Sequence, residues 1–161
     1  AVALRVAPSA IAEPFDTVSV CLSKGLGAPV GSILVGPASL IAEARKWRKM
    51  LGGAMRQVGL IAAAGMHALE NHIDRLAIDH ENARLLAEGL ATVEGVSVDA
   101  QNTNMVFVTV PQGSDNLEER LAKHGINTRW AGNHSRMVLH LGIDKGDIAT
   151  VVTAINLELN S

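Results

Sequence analysis

The chain has 161 residues, of which 48% are hydrophobic and 19% charged, and its formal net charge is −2. This length is enough for one domain with a substantial core or for two small lobes. The charge gives no sign of a nucleic-acid partner, and no apolar stretch reaches the roughly 18 residues that a membrane-spanning helix needs. The single cysteine, Cys21, cannot form an internal disulfide, which favours a reducing, cytoplasmic setting.

The first third of the chain predicts two strands and a helix. The runs TVSVCL (17–22) and SILVG (32–36) are apolar without clean alternation, so we expect strands buried on both faces, as in α/β sheets. Residues 37–51 have helical periodicity, and the pair Gly52 and Gly53 should end that helix. Its predicted apolar face consists of Leu40, Ile41, Ala44, Trp47 and Leu51.

A helical pattern then extends from about residue 57 to residue 93. Leu69, Leu76, Ala83 and Leu90 recur at every seventh position, and this segment contains no proline. Two interpretations are open. Either one long helix, bent or interrupted, leaves one lobe and enters another, or two consecutive helices follow each other.

The remaining sequence predicts a small α+β lobe with the order β-β-α-β-β-α. Strands are expected over 96–100, 104–110, 127–129 and 135–142. A helix is expected over 114–125, capped by Ser114 or Asp115 and stopped by Gly125, and a last helix over 144–159, capped by Asp144.

Lys24 is the first candidate for chemistry. It follows the first predicted strand and precedes a turn that contains Gly25, Gly27 and Gly31. Small neighbours would let a planar ligand approach the backbone, and burial would make the free amine more available for a Schiff base with a carbonyl. The alternative is a solvated lysine at a strand end. A phosphate-binding P-loop is not indicated, because its spacing is absent.

Further cations are candidates for anion binding. Lys49 and Arg56 flank the glycine pair and could bind a phosphate from a neighbouring site; the alternative is a solvated helix end, where cations are favourable. Arg136 lies in an otherwise apolar strand, where its planar fork suits a carboxylate; an edge-strand salt bridge is the alternative. His140, four residues further along, is expected on the same face. No histidine spacing indicates a metal site, and Cys21 is expected in the core.

The motifs LSKGLG (22–27) and RKMLGGAMRQ (48–57) together resemble the low-specificity L-threonine aldolases, which are pyridoxal-phosphate enzymes of the aspartate-aminotransferase fold. QNTNMVFV (101–108) and SRMVLHLG (135–142) extend the resemblance over nearly the whole chain. It implies an α/β fold in which part of a large cofactor-binding domain (1–70) is joined by a long helix (71–94) to a small C-terminal α+β domain (95–161).

The resemblance also implies roles for individual residues. Lys24 would carry pyridoxal 5′-phosphate, with Ser23 beside it. Lys49 and Arg56 would lie close to the cofactor phosphate, including that of a neighbouring subunit, and Arg136 would bind the substrate carboxylate. The family implies a homotetramer, built as a dimer of dimers, that cleaves L-threonine or L-allo-threonine to glycine and acetaldehyde.

The chain also departs from the family pattern. The aspartate that pairs with the pyridine nitrogen, the glycine-threonine phosphate loop and the ring-stacking histidine have no counterpart in this sequence, so we expect it to hold only part of an active site. Two alternatives to the aldolase remain: another lyase on the same scaffold, such as a β-eliminating one, or a non-catalytic fragment.

Overall fold

The structure, a computed structural model, describes residues 1–160, and the chain divides into two units with the boundary between Leu76 and Ala77. The first unit contains a short helix, a two-stranded sheet and two longer helices. Its elements are α1 (Pro8–Ala12), β1 (Val18–Cys21), β2 (Ser32–Val35), α2 (Ala38–Met50) and α3 (Gly59–Asn71).

Strands β1 and β2 form an antiparallel hairpin in which Val18 pairs with Val35 and Cys21 with Ser32. Both strands were predicted, but their expected burial on two faces is wrong. Every residue of β2 is exposed, and β1 is at most half-buried. The physical reason is that this sheet contains only two strands, so no neighbouring layer covers its apolar side chains.

Helix α2 confirms the predicted helix over 37–51. The glycine pair ends it as expected, since the Gly53 N–H donates to the carbonyl oxygen of Arg48 at 2.8 Å. No residue of α2 is fully buried: Ile41 and Ala44 are half-buried, whereas Trp47 and Leu51 on the predicted apolar face are 52% and 81% exposed.

The segment from residue 57 to residue 93 forms two helices, α3 and α4 (Leu76–Leu90), separated at residues 72–75. The two-helix interpretation therefore describes this segment, and an unbroken helix through it is not formed. The seven-residue seam is buried at Ala83 and Leu90 and half-buried at Leu69 and Leu76. The domain limits at 70 and 94 stay a prediction.

The second unit is a sheet covered on one face by helices, which confirms the predicted α+β order. The sheet has the strand order β3-β4-β6-β5 and is antiparallel throughout. Its further elements are β3 (Ser97–Asn102), β4 (Met105–Thr109), α5 (Leu117–Ala122), β5 (Trp130–Ala131), β6 (His134–Val138) and α6 (Lys145–Asn160).

Alternation along the two central strands decides which sheet face is covered. Val106 and Val108 of β4 and Met137 of β6 are buried, and they share a core with Leu90 of α4 and Leu121 of α5. Residues between them, Phe107 and Arg136 among others, lie on the opposite face. A register shift between Val98 and Ala100 places an irregularity in the edge strand β3.

Two local predictions in this unit are wrong. Helix α5 begins after Asn116, which has φ 58°, and neither Ser114 nor Asp115 caps it; the Ser114 hydroxyl donates to the carbonyl oxygen of Pro111 instead. The short strand expected over 127–129 lies at Trp130–Ala131.

The predicted Asp144 cap is confirmed. One carboxylate oxygen of Asp144 accepts the N–H groups of Gly146 and Asp147 at 2.6 and 3.0 Å. The carboxylate of Asp147 in turn accepts the Asp144 N–H at 2.8 Å, so the first turn of α6 is bonded reciprocally.

Candidate functional site

The turn that carries Lys24 is closed by its own backbone. We call residues 22–28 the lysine turn. The N–H of Gly27 donates to the carbonyl oxygen of Lys24 at 2.8 Å, and the N–H of Ala28 donates to that of Leu22 at 3.0 Å. Gly27 has φ 72°, a conformation that strains residues with a side chain, so glycine is favoured there. Leu22 and Ala28 are buried at the base of the turn.

The Lys24 side chain is exposed, as is that of Ser23. The expectation that Lys24 is partly buried is therefore wrong within this chain, because its strand belongs to an uncovered hairpin. The Lys24 amine is accessible to a ligand at the end of β1. Within this chain, burial therefore gives no reason for the amine to be unusually reactive.

Cys21 is also exposed, which corrects its predicted place in the core. Its sulfur lies 3.5 Å from the Ser23 hydroxyl oxygen. Hydrogen bonding to Ser23 lowers the pKa of the Cys21 thiol, and the positive charge of Lys24 adds a smaller effect in the same direction. The end of β1 therefore presents a thiol, a hydroxyl and an amine within four consecutive positions.

Lys49 and Arg56 lie on either side of the glycine pair, as the sequence predicted, and both side chains are exposed. Within residues 1–160, neither of them forms an ion pair or a side-chain hydrogen bond. They belong to the same unit as Lys24, whereas Arg136 belongs to the other unit. Their predicted contact with a phosphate stays a prediction, since nothing in the chain's own contacts tests it.

Arg136 projects from β6 on the sheet face that the helices leave uncovered. Its cross-strand neighbour is Phe107, and its side chain is exposed without an ion-pair partner among the described residues. The edge-strand salt bridge considered as an alternative is thus not formed within residues 1–160. Two cavities meet at Arg136, one of about 1260 Å³ that His140 also lines, and one of about 570 Å³ that Phe107 lines.

A backbone hydrogen bond fixes which ring nitrogen of neutral His140 carries the proton. Its Nδ1 accepts the N–H of Gly142 at 3.1 Å, so in the neutral ring the proton is on Nε2. His140 and Arg136 both line the larger cavity, in agreement with their predicted common face.

A polar network beside Arg136 was not found from the sequence. The Thr109 hydroxyl donates to Asp99 at 2.6 Å and accepts from Nδ1 of His134 at 2.7 Å. This network joins three neighbouring strands, β3, β4 and β6. His134 lies two residues before Arg136, and the two side chains line the smaller cavity together. Strand pairing brings Asp99, Thr109 and His134 together, and their spacing in the sequence does not indicate the network.

Comparison with known proteins shows the family to which the chain belongs. Residues 1–112 match the model of the beta-eliminating lyase family, so the chain belongs to that family. Within it, the predicted resemblance to the low-specificity L-threonine aldolases is confirmed. The chain is 42% identical to low-specificity L-threonine aldolase 1 of Arabidopsis thaliana over 91% of its length and 46% identical to the Escherichia coli O157:H7 enzyme over 84%.

A solved structure shows the same fold. A putative L-allo-threonine aldolase from Listeria monocytogenes superposes on 96% of the chain with a TM-score of 0.80 at 23% identity. The chain spans less than half of each of these proteins: 43% of the Arabidopsis enzyme, 40% of the Escherichia coli enzyme and 48% of the Listeria chain. No helix within residues 1–160 is long and apolar enough to cross a membrane.

Proposed function

We propose that this chain supplies part of the active site of a pyridoxal-phosphate-dependent enzyme that cleaves L-threonine or L-allo-threonine to glycine and acetaldehyde. The observation that carries the proposal is the exposed amine of Lys24 at the end of β1, in a turn that glycine closes. The relatives named above, at 42% and 46% identity, support the reaction class.

The residues present fit the cofactor. Pyridoxal phosphate bears an aldehyde and a phosphate. For the aldehyde, the first unit offers the exposed amine of Lys24, with the Ser23 hydroxyl next to it. For the phosphate, it offers the exposed cations of Lys49 and Arg56. When bound, pyridoxal phosphate provides an electron sink for the charge that develops on the substrate Cα. In this proposal Lys24 holds the cofactor covalently through Nζ, and Ser23, Lys49 and Arg56 bind its phosphate.

The remaining roles belong to substrate binding. Arg136 holds the substrate carboxylate through two parallel hydrogen bonds, for which its unpaired guanidinium is available. Cleavage breaks the Cα–Cβ bond, removes the proton of the β-hydroxyl group and places a proton on Cα. We assign neither proton transfer to His140, because its Nδ1 already accepts the Gly142 N–H.

We also propose that the parent enzyme is a homotetramer. The apolar side chains that the first unit leaves uncovered support this, including Met50 at 72%, Leu51 at 81% and Leu60 at 88% exposure. Exposed apolar surface of this kind is typical of a contact surface. Sedimentation of the full-length protein tests the proposal, and a monomer at micromolar concentration would contradict it.

The decisive experiment uses a full-length protein that contains this chain. Borohydride reduction in the presence of pyridoxal phosphate should attach the cofactor to Lys24, which peptide mapping can identify. Lys24→Ala should remove the label and lower glycine release by several orders of magnitude, whereas Lys46→Ala, a matched change at an exposed lysine of α2, should do neither. A label on Lys49 in place of Lys24 would refute the assignment.

A second candidate function is β-elimination, which the description of the matching family favours. The products distinguish the two reactions. Aldol cleavage of threonine yields glycine and an aldehyde, whereas β-elimination yields ammonia and a 2-oxo acid. A protein that gives neither product and no borohydride label would be the non-catalytic alternative.

A further inference from the structure

A hydrogen bond joins the lysine turn to a distant part of the chain. Nδ1 of His72 lies 2.6 Å from the carbonyl oxygen of Leu26, across a sequence separation of 46 residues. The carbonyl can only accept, so Nδ1 carries the proton and donates. His72 is the residue that follows α3, and its ring is partly buried.

Packing holds the same two segments together. Leu22 and Ala28 of the turn share a buried cluster with Ala68 of α3. The approach is close: a Cβ added at Gly65 would lie 3.0 Å from Leu22, and one added at Gly25 would lie 2.8 Å from Leu76. Glycines at these two positions therefore permit the turn to lie directly on the end of α3 and the residue that begins α4.

Apolar packing reaches the tip of the turn as well, because Leu26 is half-buried and packs against the same cluster, but apolar contacts are non-directional and do not set the orientation of the backbone there. Leu22 and Ala28, which are the buried residues of the turn, form the base. Leu26 lies in the tip, two residues after Lys24, and its carbonyl oxygen is the atom that His72 binds. The hydrogen bond therefore restrains the part of the turn from which the lysine side chain projects.

We propose that His72 is a positioning residue that holds the lysine turn, and with it the backbone of Lys24, against the end of α3. The proposal deepens the proposed function and rests on it for the role of Lys24. His72 itself touches main chain and has no part in the chemistry.

Three variants separate the hydrogen bond from the bulk of the ring. His72→Phe keeps an aromatic ring but lacks the donor. His72→Asn restores a donor at the same bond distance from Cα, since the amide nitrogen of asparagine, like Nδ1 of histidine, is attached to Cγ. His80→Phe is the matched control, because the His80 side chain is half-buried like that of His72 but belongs to the other unit.

Amide hydrogen exchange of the 161-residue chain tests the restraint without the cofactor. In His72→Phe the N–H groups of Gly27 and Ala28, which close the turn, should exchange about tenfold faster, as expected for the loss of one buried hydrogen bond. His72→Asn and His80→Phe should stay near the parent rates. Equal exchange in the parent and His72→Phe, or faster exchange in His72→Asn than in His72→Phe, would overturn the proposal.

A second measurement on the full-length protein tests the consequence for Lys24. The rate at which borohydride traps pyridoxal phosphate on Lys24 should fall about tenfold in His72→Phe and recover in His72→Asn, by the same reasoning. An unchanged rate in His72→Phe would overturn the positioning role. A parent protein without trapping at Lys24 would refute the proposed function, and hydrogen exchange would still decide whether His72 restrains the turn.

Discussion

Replacement of Arg136 should separate substrate binding from folding. The side chain is exposed, it lies on the uncovered sheet face, and it has no ion-pair partner within residues 1–160. Its removal should therefore change the free energy of unfolding by no more than about 0.5 kcal/mol. In the proposed active site the same side chain meets a carboxylate, and loss of a desolvated charged partner costs on the order of 2–5 kcal/mol.

These two magnitudes define the expected result. At 1.4 kcal/mol per factor of ten, kcat/KM for glycine release should fall roughly 30- to 4,000-fold in Arg136→Leu. Arg136→Lys should be a poor substitute, because an ammonium group cannot reproduce the two parallel hydrogen bonds of a guanidinium. Urea unfolding of the same variants should show nearly unchanged midpoints.

The control is Arg129, which is exposed and lines the same larger cavity. Arg129→Leu should keep most of the activity, which would show that the loss does not arise from a change of surface charge. Substrates in which the carboxylate is replaced by an alcohol provide the sharper test. If they lose as much activity in Arg136→Leu as threonine does, the assignment of Arg136 to the carboxylate is refuted.

The remaining predictions concern stability and thiol chemistry. Leu90 is fully buried, so Leu90→Ala should lower the free energy of unfolding by about 2–5 kcal/mol in urea titrations. Leu141 is 50% exposed, so Leu141→Ala should lower it by less than about 0.5 kcal/mol. Equal effects would contradict the core described above. Asp144→Ala should cost about 1 kcal/mol by the same assay and Asp144→Asn less, because only asparagine keeps the capping oxygen; equal losses would contradict the cap. The pKa of the Cys21 thiol is lowered by Ser23, so the thiolate forms at lower pH than in an ordinary cysteine. Iodoacetamide alkylation should therefore rise at lower pH, and Ser23→Ala should shift its midpoint upward; an unchanged midpoint would refute the role of Ser23.

The second unit was the more predictable part of the fold. Its strands and helices satisfy their patterns within the segment itself: Val106 and Val108 alternate into the core, and Asp144 caps α6 by a local contact. The predicted cap of α5 was wrong because another local hydrogen bond competes with it. Ser114 donates back to the carbonyl oxygen of Pro111 instead of capping α5, and propensity does not distinguish the two choices.

The first unit shows the limit of sequence patterns. The apolar runs predicted strands correctly, but burial depends on what lies next to a strand, and β2 has only β1 beside it. The same limit applies to the candidate site. Lys24 could be singled out from its glycine-rich turn, whereas His72 could not, because its partner Leu26 is 46 residues away in sequence. The network of Asp99, Thr109 and His134 likewise depends on strand pairing.

The two sheets differ in how their outermost strands could accept another chain. In the second unit, the register shift between Val98 and Ala100 makes the outer strand β3 irregular, and β5 at the other edge has only two residues. Irregular and very short outer strands are poor templates for main-chain pairing. The hairpin pairs in unbroken register and keeps an unpaired side on each strand, so intermolecular strand addition, whether in assembly or in aggregation, is directed to Val18–Cys21 and Ser32–Val35.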